Sequence, residues 1–254
     1  MVRVAEGVTS QVAHERRFWE NDPLERPGSD SLENVLNKAV DAAIFNTIVD
    51  QYAHAFEQAH HVLEVGGGQG WASCVVKRRF PLAHVTLTDA VDAAVASRHI
   101  WERVFGARLD DAIAAPAQAL PIADATMDLV FCFAAAHHFV DYAAALREAH
   151  RVLRSGGRCL WLYEPTTPRL WHGIAESRVN RKRVDVPEHV IVPTQLLATA
   201  RNVGFAATAV FAPEGFRRGR LTSLYYNVLS VVPMLTRLLP CTAHFTFVKQ
   251  AADG

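Results

Sequence analysis

A glycine-rich turn after a strongly apolar run is the clearest sign of chemistry in the sequence. It reads Glu64-Val65-Gly66-Gly67-Gly68-Gln69-Gly70. Glycines at a turn from strand to helix allow positive φ angles and let the backbone approach a ligand closely. The helix that begins behind them presents free backbone N–H groups in its first turn. The pattern therefore predicts a ligand site at residues 64–70.

Asp89 ends the next apolar run, nineteen positions after Gly70. A carboxylate at this place can accept hydrogen bonds from both ribose hydroxyls of a nucleoside. Taken alone, Asp89 would as often cap the helix that follows it, and this alternative stays open. Together with the glycine turn, the spaced acid favours a nucleoside site.

Two other nucleotide-binding motifs fit the turn poorly. A dinucleotide fingerprint, GxGxxG, would place its third glycine at position 71, where Trp71 stands. A P-loop would continue with Gly-Lys-Ser/Thr, which is absent from this part of the sequence. A nicotinamide-dependent oxidoreductase is therefore the weakest of the functions considered.

Short apolar runs alternate with helical patterns, and this alternation supplies the elements that must position these residues. Strands are predicted at 61–65, 83–88, 115–120, 128–133, 158–163, 205–211 and 244–248. Helices are predicted from Asp30 or Ser31 onward, at 71–79, 89–105 and 141–157, at 194–202, and at 220–240 with a break at Pro233. The alternation predicts an α/β fold with a parallel sheet and ligands at the carboxyl ends of its strands.

Composition limits the class of protein. Half of the 254 residues are hydrophobic and the formal net charge is zero, so a full core is possible and no basic field points to nucleic acid. The four cysteines are scattered, which argues against a zinc site or a disulfide framework. We find no signal peptide and no transmembrane segment, so we expect a cytoplasmic protein.

Four sequence blocks resemble the class I S-adenosylmethionine-dependent methyltransferases, and among them the type-11 group that acts on small molecules. The blocks are HVLEVGGGQG, VTLTDA, ALPIADATMDLVFC and HRVLRSGGRCLWLYEP, in that order, within about residues 60–165. The resemblance implies a Rossmann-like fold: a seven-stranded, mostly parallel sheet with helices on both faces and an antiparallel last strand. It also implies S-adenosylmethionine as cofactor and S-adenosylhomocysteine as product.

The resemblance assigns roles to individual residues. Glu64 would face the amino-acid end of the cofactor, Asp89 its ribose hydroxyls and Ala134 its sulfonium. The remaining cofactor residues it implies are Gly66, Gly67, Gly68, Gly70, Ala90, Ala117 and Gln118. Many relatives carry an acid that contacts adenine before the Leu-Pro pair, whereas this chain reads Ala115-Pro116-Ala117. Recognition of adenine in this stretch therefore departs from the family pattern.

Methyl transfer to an oxygen acceptor is helped by a general base. The candidates are His137 and His138 after the fourth strand, and Glu164 after the fifth as base or acceptor clamp. Each could instead have only a packing or hydrogen-bonding role. No cluster of carboxylates follows the fourth strand, so we expect no metal.

The parts outside the resemblance are expected to form a helical cap over a single domain of residues 1–254. They are residues 1–36, 166–192 and 213–240. Arginines in the last two segments could bind an anionic acceptor or form a solvated surface. An apolar stripe from Leu221 to Leu239 could be a lid or dimer helix, hold an apolar acceptor, or rest on a membrane surface. The chain could be a monomer or a homodimer.

Two functions remain open at this level. The first is methylation, most readily O-methylation, of a small molecule that is sugar-like or a secondary metabolite. The second is binding of S-adenosylmethionine without methyl transfer, or its use in other chemistry.

Overall fold

The computed structural model describes residue 13 and residues 31–181, 189–213 and 220–251. Its strands are β1 (His61–Val65), β2 (His84–Asp89), β3 (Asp111–Ala114), β4 (Met127–Phe133), β5 (Leu153–Thr166), β6 (Phe205–Phe211) and β7 (Cys241–Lys249). Its longer helices are α1 (Leu32–Gln51), α2 (Ala53–Glu57), α3 (Trp71–Arg79), α4 (Asp92–Ala96), α5 (His99–Phe105), α6 (Tyr142–Val152), α7 (His172–Asn180), α8 (Pro193–Val203) and α9 (Arg220–Val231). Single 3-10 turns occur at Ala136–His138, Arg169–Trp171 and Pro233–Arg237.

The strands form one seven-stranded sheet in the order β3-β2-β1-β4-β5-β7-β6. The pairs β1–β2, β1–β4, β2–β3 and β4–β5 are parallel. β7 runs antiparallel to both of its neighbours, β5 and β6. The predicted sheet with an antiparallel last strand is confirmed.

The sheet is buried on both faces. Along β4, Leu129, Phe131 and Phe133 pack into one core with α1, α2, α3 and α5. The alternate residues Val130 and Cys132 pack into a second core with α6 and α8. This explains why the central strands read as continuous apolar runs rather than as apolar and polar residues in alternation. All four cysteines are buried free thiols.

Three element boundaries differ from the prediction. β3 occupies Asp111–Ala114, not 115–120, because Pro116 has no N–H for a ladder and the chain turns there, with Ala119 N–H donating to its carbonyl. The helix predicted at 89–105 is two helices, α4 and α5, separated at Ser97, whose hydroxyl donates to the carbonyl of Ala94. α6 ends at Val152 because Leu153 is already extended and pairs with Met127.

The first helix is capped by Ser31. Its hydroxyl oxygen accepts the N–H of Asn34 at 3.3 Å, so Ser31, not Asp30, is the N-cap. Asp30 itself lies outside the described residues, as does most of the expected cap segment 1–36. Within the described ranges, no helix has the length and apolar character needed to cross a membrane.

A register shift separates Trp161 from Glu164 in the pairing of β5 with β7. At the shift, the N–H of Tyr163 donates to Nδ1 of His244 at 2.9 Å instead of to a strand carbonyl. Tyr163 has a φ of +60°, and His244 is 1% exposed. Burial lowers the pKa of the His244 imidazole to about 4. The ring that accepts the N–H of Tyr163 in place of a strand carbonyl is therefore neutral.

Protonation of His244 is expected to destabilise the fold. The pKa of its imidazole falls from 6.5 in the unfolded chain to about 4 in the folded protein, so the unfolded chain binds the proton more tightly. The stability that is present above pH 6.5 is therefore lost as the pH falls toward 4. The variant His244→Gln retains an acceptor for the N–H of Tyr163 but cannot be protonated. When the pH is lowered from about 7.5 to about 5, the free energy of unfolding of the wild type should fall by about 2 kcal/mol more than that of the variant. Urea denaturation at both pH values measures this difference. Identical losses in the two proteins would contradict the assignment.

Candidate functional site

The strand order reverses between β1 and β4. β1 pairs with β2 on one side and with β4 on the other, so the loops after β1 and β4 leave the sheet in different directions and open a crevice at their carboxyl ends. The two loops touch, since a Cβ built on Gly66 would lie 3.1 Å from the Cβ of Ala135. The candidate residues predicted from sequence after β1, β2 and β4 therefore converge on one place.

The glycine turn has the backbone that the sequence predicted. Gly66, Gly68 and Gly70 have φ angles of +68°, +54° and +78°, a region that favours glycine. Gly67 is constrained differently, because a Cβ there would lie 2.5 Å from both Cδ of Glu64 and Cδ1 of Leu87. Any larger residue at Gly67 would have to displace the side chains of Glu64 and Leu87.

Glu64 is 2% exposed and is held by the first turn of α3. Its Oε2 accepts the backbone N–H of Ser73 at 2.9 Å and a short hydrogen bond from the Ser73 hydroxyl. Burial raises the pKa of Glu64 to about 8, an effect that the bonds from Ser73 only partly oppose. A cation placed beside this carboxyl group would favour its ionised form.

Asp89 uses both carboxylate oxygens to organise the crevice. Oδ2 accepts the N–H of Gly68 and Oδ1 accepts the N–H of Val91, each at 2.8 Å. The N-cap of α4 is Val91, so the alternative that Asp89 caps this helix is wrong. Burial raises the pKa of Asp89, and its bonds to the two N–H groups oppose the rise. Each oxygen retains a lone pair that could accept a further donor.

The turn after β3 lies next to Asp89. The N–H of Ala115 donates to the carbonyl of Asp89 at 2.7 Å, which brings residues 115–119 beside the end of β2. In this neighbourhood Ala117 is buried, whereas Ala90 and Gln118 are half-buried. The structure thus brings these three predicted residues to the same edge as the glycine turn.

The end of β4 is shaped by Glu164, which is fully buried in β5. Its Oε1 accepts the backbone N–H groups of Ala135 and Ala136 at 2.9 and 2.8 Å. Just before them, Ala134 has a φ of +47° and donates its N–H to the carbonyl of Leu162. The carboxylate of Glu164 therefore fixes the backbone turn that carries Ala134 and the two histidines.

His137 is the second partner of Glu164. Oε2 of Glu164 lies 2.9 Å from Nδ1 of His137 and also accepts its backbone N–H at 3.2 Å. A carboxylate oxygen accepts only, so Nδ1 of His137 is the donor in this contact, and a ring without a second proton presents Nε2 as an acceptor. The His137 side chain is 12% exposed, so it is partly accessible while Glu164 is not. This carboxylate–imidazole pair holds a basic nitrogen in a fixed orientation.

A cap segment reaches the same turn. The N–H of His189 donates to the carbonyl of His137 at 3.1 Å, and Nδ1 of His189 lies 3.2 Å from Glu176 in α7. His138 packs its ring against that of His137, with centroids 4.1 Å apart. Part of the segment predicted to cover the acceptor pocket is thus in contact with the candidate base.

Sequence reasoning missed several residues that support the site. Ser73 anchors Glu64, Gln69 accepts the indole N–H of Trp101 at 2.7 Å, and His244 supports Tyr163. The position of Ser73 in the first turn of α3 could have signalled a donor for the buried acid. His244 and Trp101 had no such signal, because their partners are distant in the sequence.

Comparisons with known proteins agree with this geometry. A family model described as a methyltransferase domain, type 11, matches residues 63–161. The malonyl-[acyl-carrier protein] O-methyltransferase of Hahella chejuensis is 34% identical over 130 residues, 47% of this chain and 44% of that protein. The demethylmenaquinone methyltransferase of Thermus thermophilus is 32% identical over 161 residues, 62% of this chain and 70% of that protein. The chain therefore spans less than half the length of the first relative and more than two thirds of the second.

A solved structure with the same fold is the geranyl diphosphate C-methyltransferase of Streptomyces coelicolor A3(2), in complex with Mg²⁺, geranyl diphosphate and S-adenosylhomocysteine. It aligns with a TM-score of 0.69 at 14% identity, over 94% of this chain and 98% of that chain. The sheet order and the glycine turn are those of a Rossmann-like class I methyltransferase. The chain belongs to the type-11 family of S-adenosylmethionine-dependent methyltransferases.

Proposed function

We propose that this protein binds S-adenosylmethionine at the carboxyl ends of β1, β2 and β4 and transfers its methyl group to a hydroxyl of a small-molecule acceptor. The observation that carries the proposal is the contact of buried Glu164 with the partly accessible His137, on the loop whose Ala135 adjoins Gly66 of the glycine turn. An imidazole held in this way supports a role for His137 in accepting the acceptor's proton. A sugar-like compound or a secondary metabolite is the acceptor class that we favour.

The described residues fit the cofactor. Positive φ angles at three glycines let the backbone turn tightly and approach a ligand without side chains in the way. The N–H groups of Gly68 and Gly70 are already donated, to Asp89 and to the carbonyl of Gly67. The unused lone pairs of Asp89 suit two ribose hydroxyls, since its other lone pairs are already taken by Gly68 and Val91. Glu64, with a pKa raised by burial, would become ionised beside the positively charged amino group of the cofactor's methionine part.

The residues of the chain would then perform three tasks. When bound, the cofactor supplies a methyl group already activated by a sulfonium, so the protein mainly aligns the acceptor for in-line displacement. Nε2 of His137 accepts the hydroxyl proton, which makes the acceptor oxygen a better nucleophile. Glu164 is a positioning residue, because it is fully buried and acts through His137 instead of touching the acceptor.

The names of the relatives support a small acceptor in general terms. They act on malonyl-[acyl-carrier protein], on demethylmenaquinone and on geranyl diphosphate, at oxygen in the first case and at carbon in the last. The chemistry of these acceptors differs, so they do not decide which atom is methylated here. The oriented imidazole favours oxygen over nitrogen, because a hydroxyl becomes a much better nucleophile when it loses its proton, whereas a neutral amine is nucleophilic before it does.

Product analysis tests the proposal. The purified full chain is incubated with methyl-labelled S-adenosylmethionine and panels of alcohols, phenols, amines and carbon nucleophiles, and labelled products are identified by mass spectrometry and NMR. We expect release of S-adenosylhomocysteine and a new O–CH₃ signal with at least one hydroxyl acceptor. Products labelled only at carbon or nitrogen would overturn O-methylation. Tight cofactor binding with no turnover across the panel and a cell metabolite extract would favour binding without transfer.

A further inference from the structure

Helix α9 presents an apolar stripe to solvent. Leu221, Leu224, Val228 and Val231 follow one another at three- and four-residue steps and are 84%, 62%, 46% and 80% exposed. Such spacing places the four side chains on one face of the helix. Contiguous exposed apolar surface on a protein often marks a site of interaction with another protein, a ligand or a membrane.

The opposite face of α9 fixes this orientation. Leu229 is 1% exposed, and the hydroxyl of Tyr225 donates to the carbonyl of Pro240 at 2.6 Å. The hydroxyl of Tyr226 lies 3.5 Å from that of Thr242 in β7. α9 is therefore attached to the body of the protein through one face, and its leucines and valines are held outward.

A second exposed apolar group lies against the end of this segment. The indole N–H of Trp171 donates to the carbonyl of Leu238 at 3.0 Å, which joins the 3-10 turn before α7 to the turn after α9. Leu170 and Ile174 on that side are 82% and 66% exposed, and Met234 and Leu238 are 74% and 55% exposed. We call the exposed apolar residues of these two segments, 170–174 and 221–238, the cap patch.

The charged residues within and next to the cap patch in the sequence are mostly basic. The exposed arginines there are Arg169, Arg178, Arg181, Arg220 and Arg237. Glu176 is the one carboxylate in residues 166–181 and 220–251, and it lies 3.2 Å from His189 and 3.8 Å from His172. The basic residues Lys182, Arg183, Arg217 and Arg218 and the acids Asp185, Glu188 and Glu214 of the neighbouring sequence lie outside the described residues.

We propose that the cap patch docks onto the surface of a lipid bilayer that contains anionic lipids. Leucine, valine, methionine and tryptophan side chains can enter the boundary between headgroups and acyl chains, while arginines at its edge contact lipid phosphates. A second copy of the chain suits the patch less well. In a two-fold dimer the same patch meets itself, so the arginines of both copies would share one interface, where Glu176 is the one carboxylate from residues 166–181 and 220–251. Docking of the cap patch onto a bilayer does not require methyl transfer.

Co-sedimentation with vesicles tests the docking. The full chain is mixed with vesicles of phosphatidylcholine alone or of phosphatidylcholine with about one third phosphatidylglycerol. We expect the protein to pellet with the second and to remain mostly in the supernatant with the first. Binding should weaken when salt is raised from about 0.05 M to about 0.5 M, because salt screens the arginine–phosphate attraction. Recovery in the supernatant with both vesicles, at low salt, would overturn the proposal.

Matched variants locate the contact. Leu224→Glu/Val228→Glu should abolish pelleting, whereas Leu82→Glu, at a leucine that is 95% exposed between α3 and β2, should leave it unchanged. Arg178→Gln and Arg237→Gln should each lower the partition coefficient for anionic vesicles by about fivefold. Binding of S-adenosylhomocysteine by every variant checks that it is folded. If Leu82→Glu and Leu224→Glu/Val228→Glu lose vesicle binding equally, the assignment of the contact to α9 is wrong. The proposal is also wrong if the wild type binds no vesicles and instead forms a dimer that Leu224→Glu/Val228→Glu dissociates.

Discussion

Replacing His137 with alanine is expected to lower kcat by about 10²–10⁴-fold while leaving the affinity for S-adenosylhomocysteine unchanged. The imidazole is oriented by Glu164 at 2.9 Å and is the partly accessible member of the pair. Its loss would remove the proton acceptor without altering the glycine turn or Asp89. Initial rates with a hydroxyl acceptor, together with calorimetry of cofactor binding, separate the two effects.

His138 provides the matched control, since it is the adjacent histidine of the same 3-10 turn. We expect His138→Ala to change kcat much less than His137→Ala, and the reverse order would transfer the role of base to His138. Glu164 is tested by a double-mutant cycle. If Glu164 acts through His137, Glu164→Gln lowers kcat in the wild type but has little further effect in the His137→Ala protein. Additive losses would show that Glu164 affects kcat independently of His137.

Replacing Asp89 with alanine is expected to raise the Kd for S-adenosylhomocysteine by about 10²-fold. Two charge-assisted hydrogen bonds to ribose hydroxyls would be lost, each contributing about 1.5 kcal/mol or more. The N–H groups of Gly68 and Val91 would also lose their acceptor, so the glycine turn would be less well ordered before binding. Calorimetry at fixed pH and salt measures the change directly.

Asp92 is the control for charge. It is an exposed acid three positions later, in the first turn of α4, so Asp92→Ala removes the same charge without touching the glycine turn. We expect its Kd to match that of the wild type. A thermal melt establishes that Asp89→Ala is folded at the temperature of the measurement. A folded Asp89→Ala protein that binds the cofactor as tightly as the wild type would show that the ribose site lies elsewhere.

Elements controlled by local sequence were the most predictable. The strand β6 at Phe205–Phe211 has the predicted bounds, because an apolar run is closed by Gly204 on one side and Pro213 on the other. The positive φ angles at Gly66, Gly68 and Gly70 also follow from residue type at a turn between strand and helix. The prediction was wrong where two local signals competed. At Pro116 the chain turns, so β3 lies before this residue and not at 115–120. At Ser97 one predicted helix is divided into two.

Side-chain partnerships between distant residues were not predictable in the same way. Glu164 and His137 are 27 positions apart, and Tyr163 and His244 are 81 positions apart. Each residue alone suited several roles, so the sequence left Glu164 open between a base, a clamp and a hydrogen-bonding residue. Which of these roles Glu164 takes depends on which hydrogen-bond donors lie next to its carboxylate once β4, β5 and β7 have paired.

The sequence by itself determined the family, the alternation of strands and helices, and the glycine turn with its spaced acid, because these rest on contacts between residues close along the chain. Only the tertiary structure decided that Asp89 accepts the N–H of Gly68, that Glu164 is turned inward onto His137, and that the apolar side chains of α9 stay exposed among the described residues. The physical reason is that burial and hydrogen-bond partners are properties of packed neighbours. Periodicity predicts that a helix has an apolar face, but only the packed structure shows whether anything covers it.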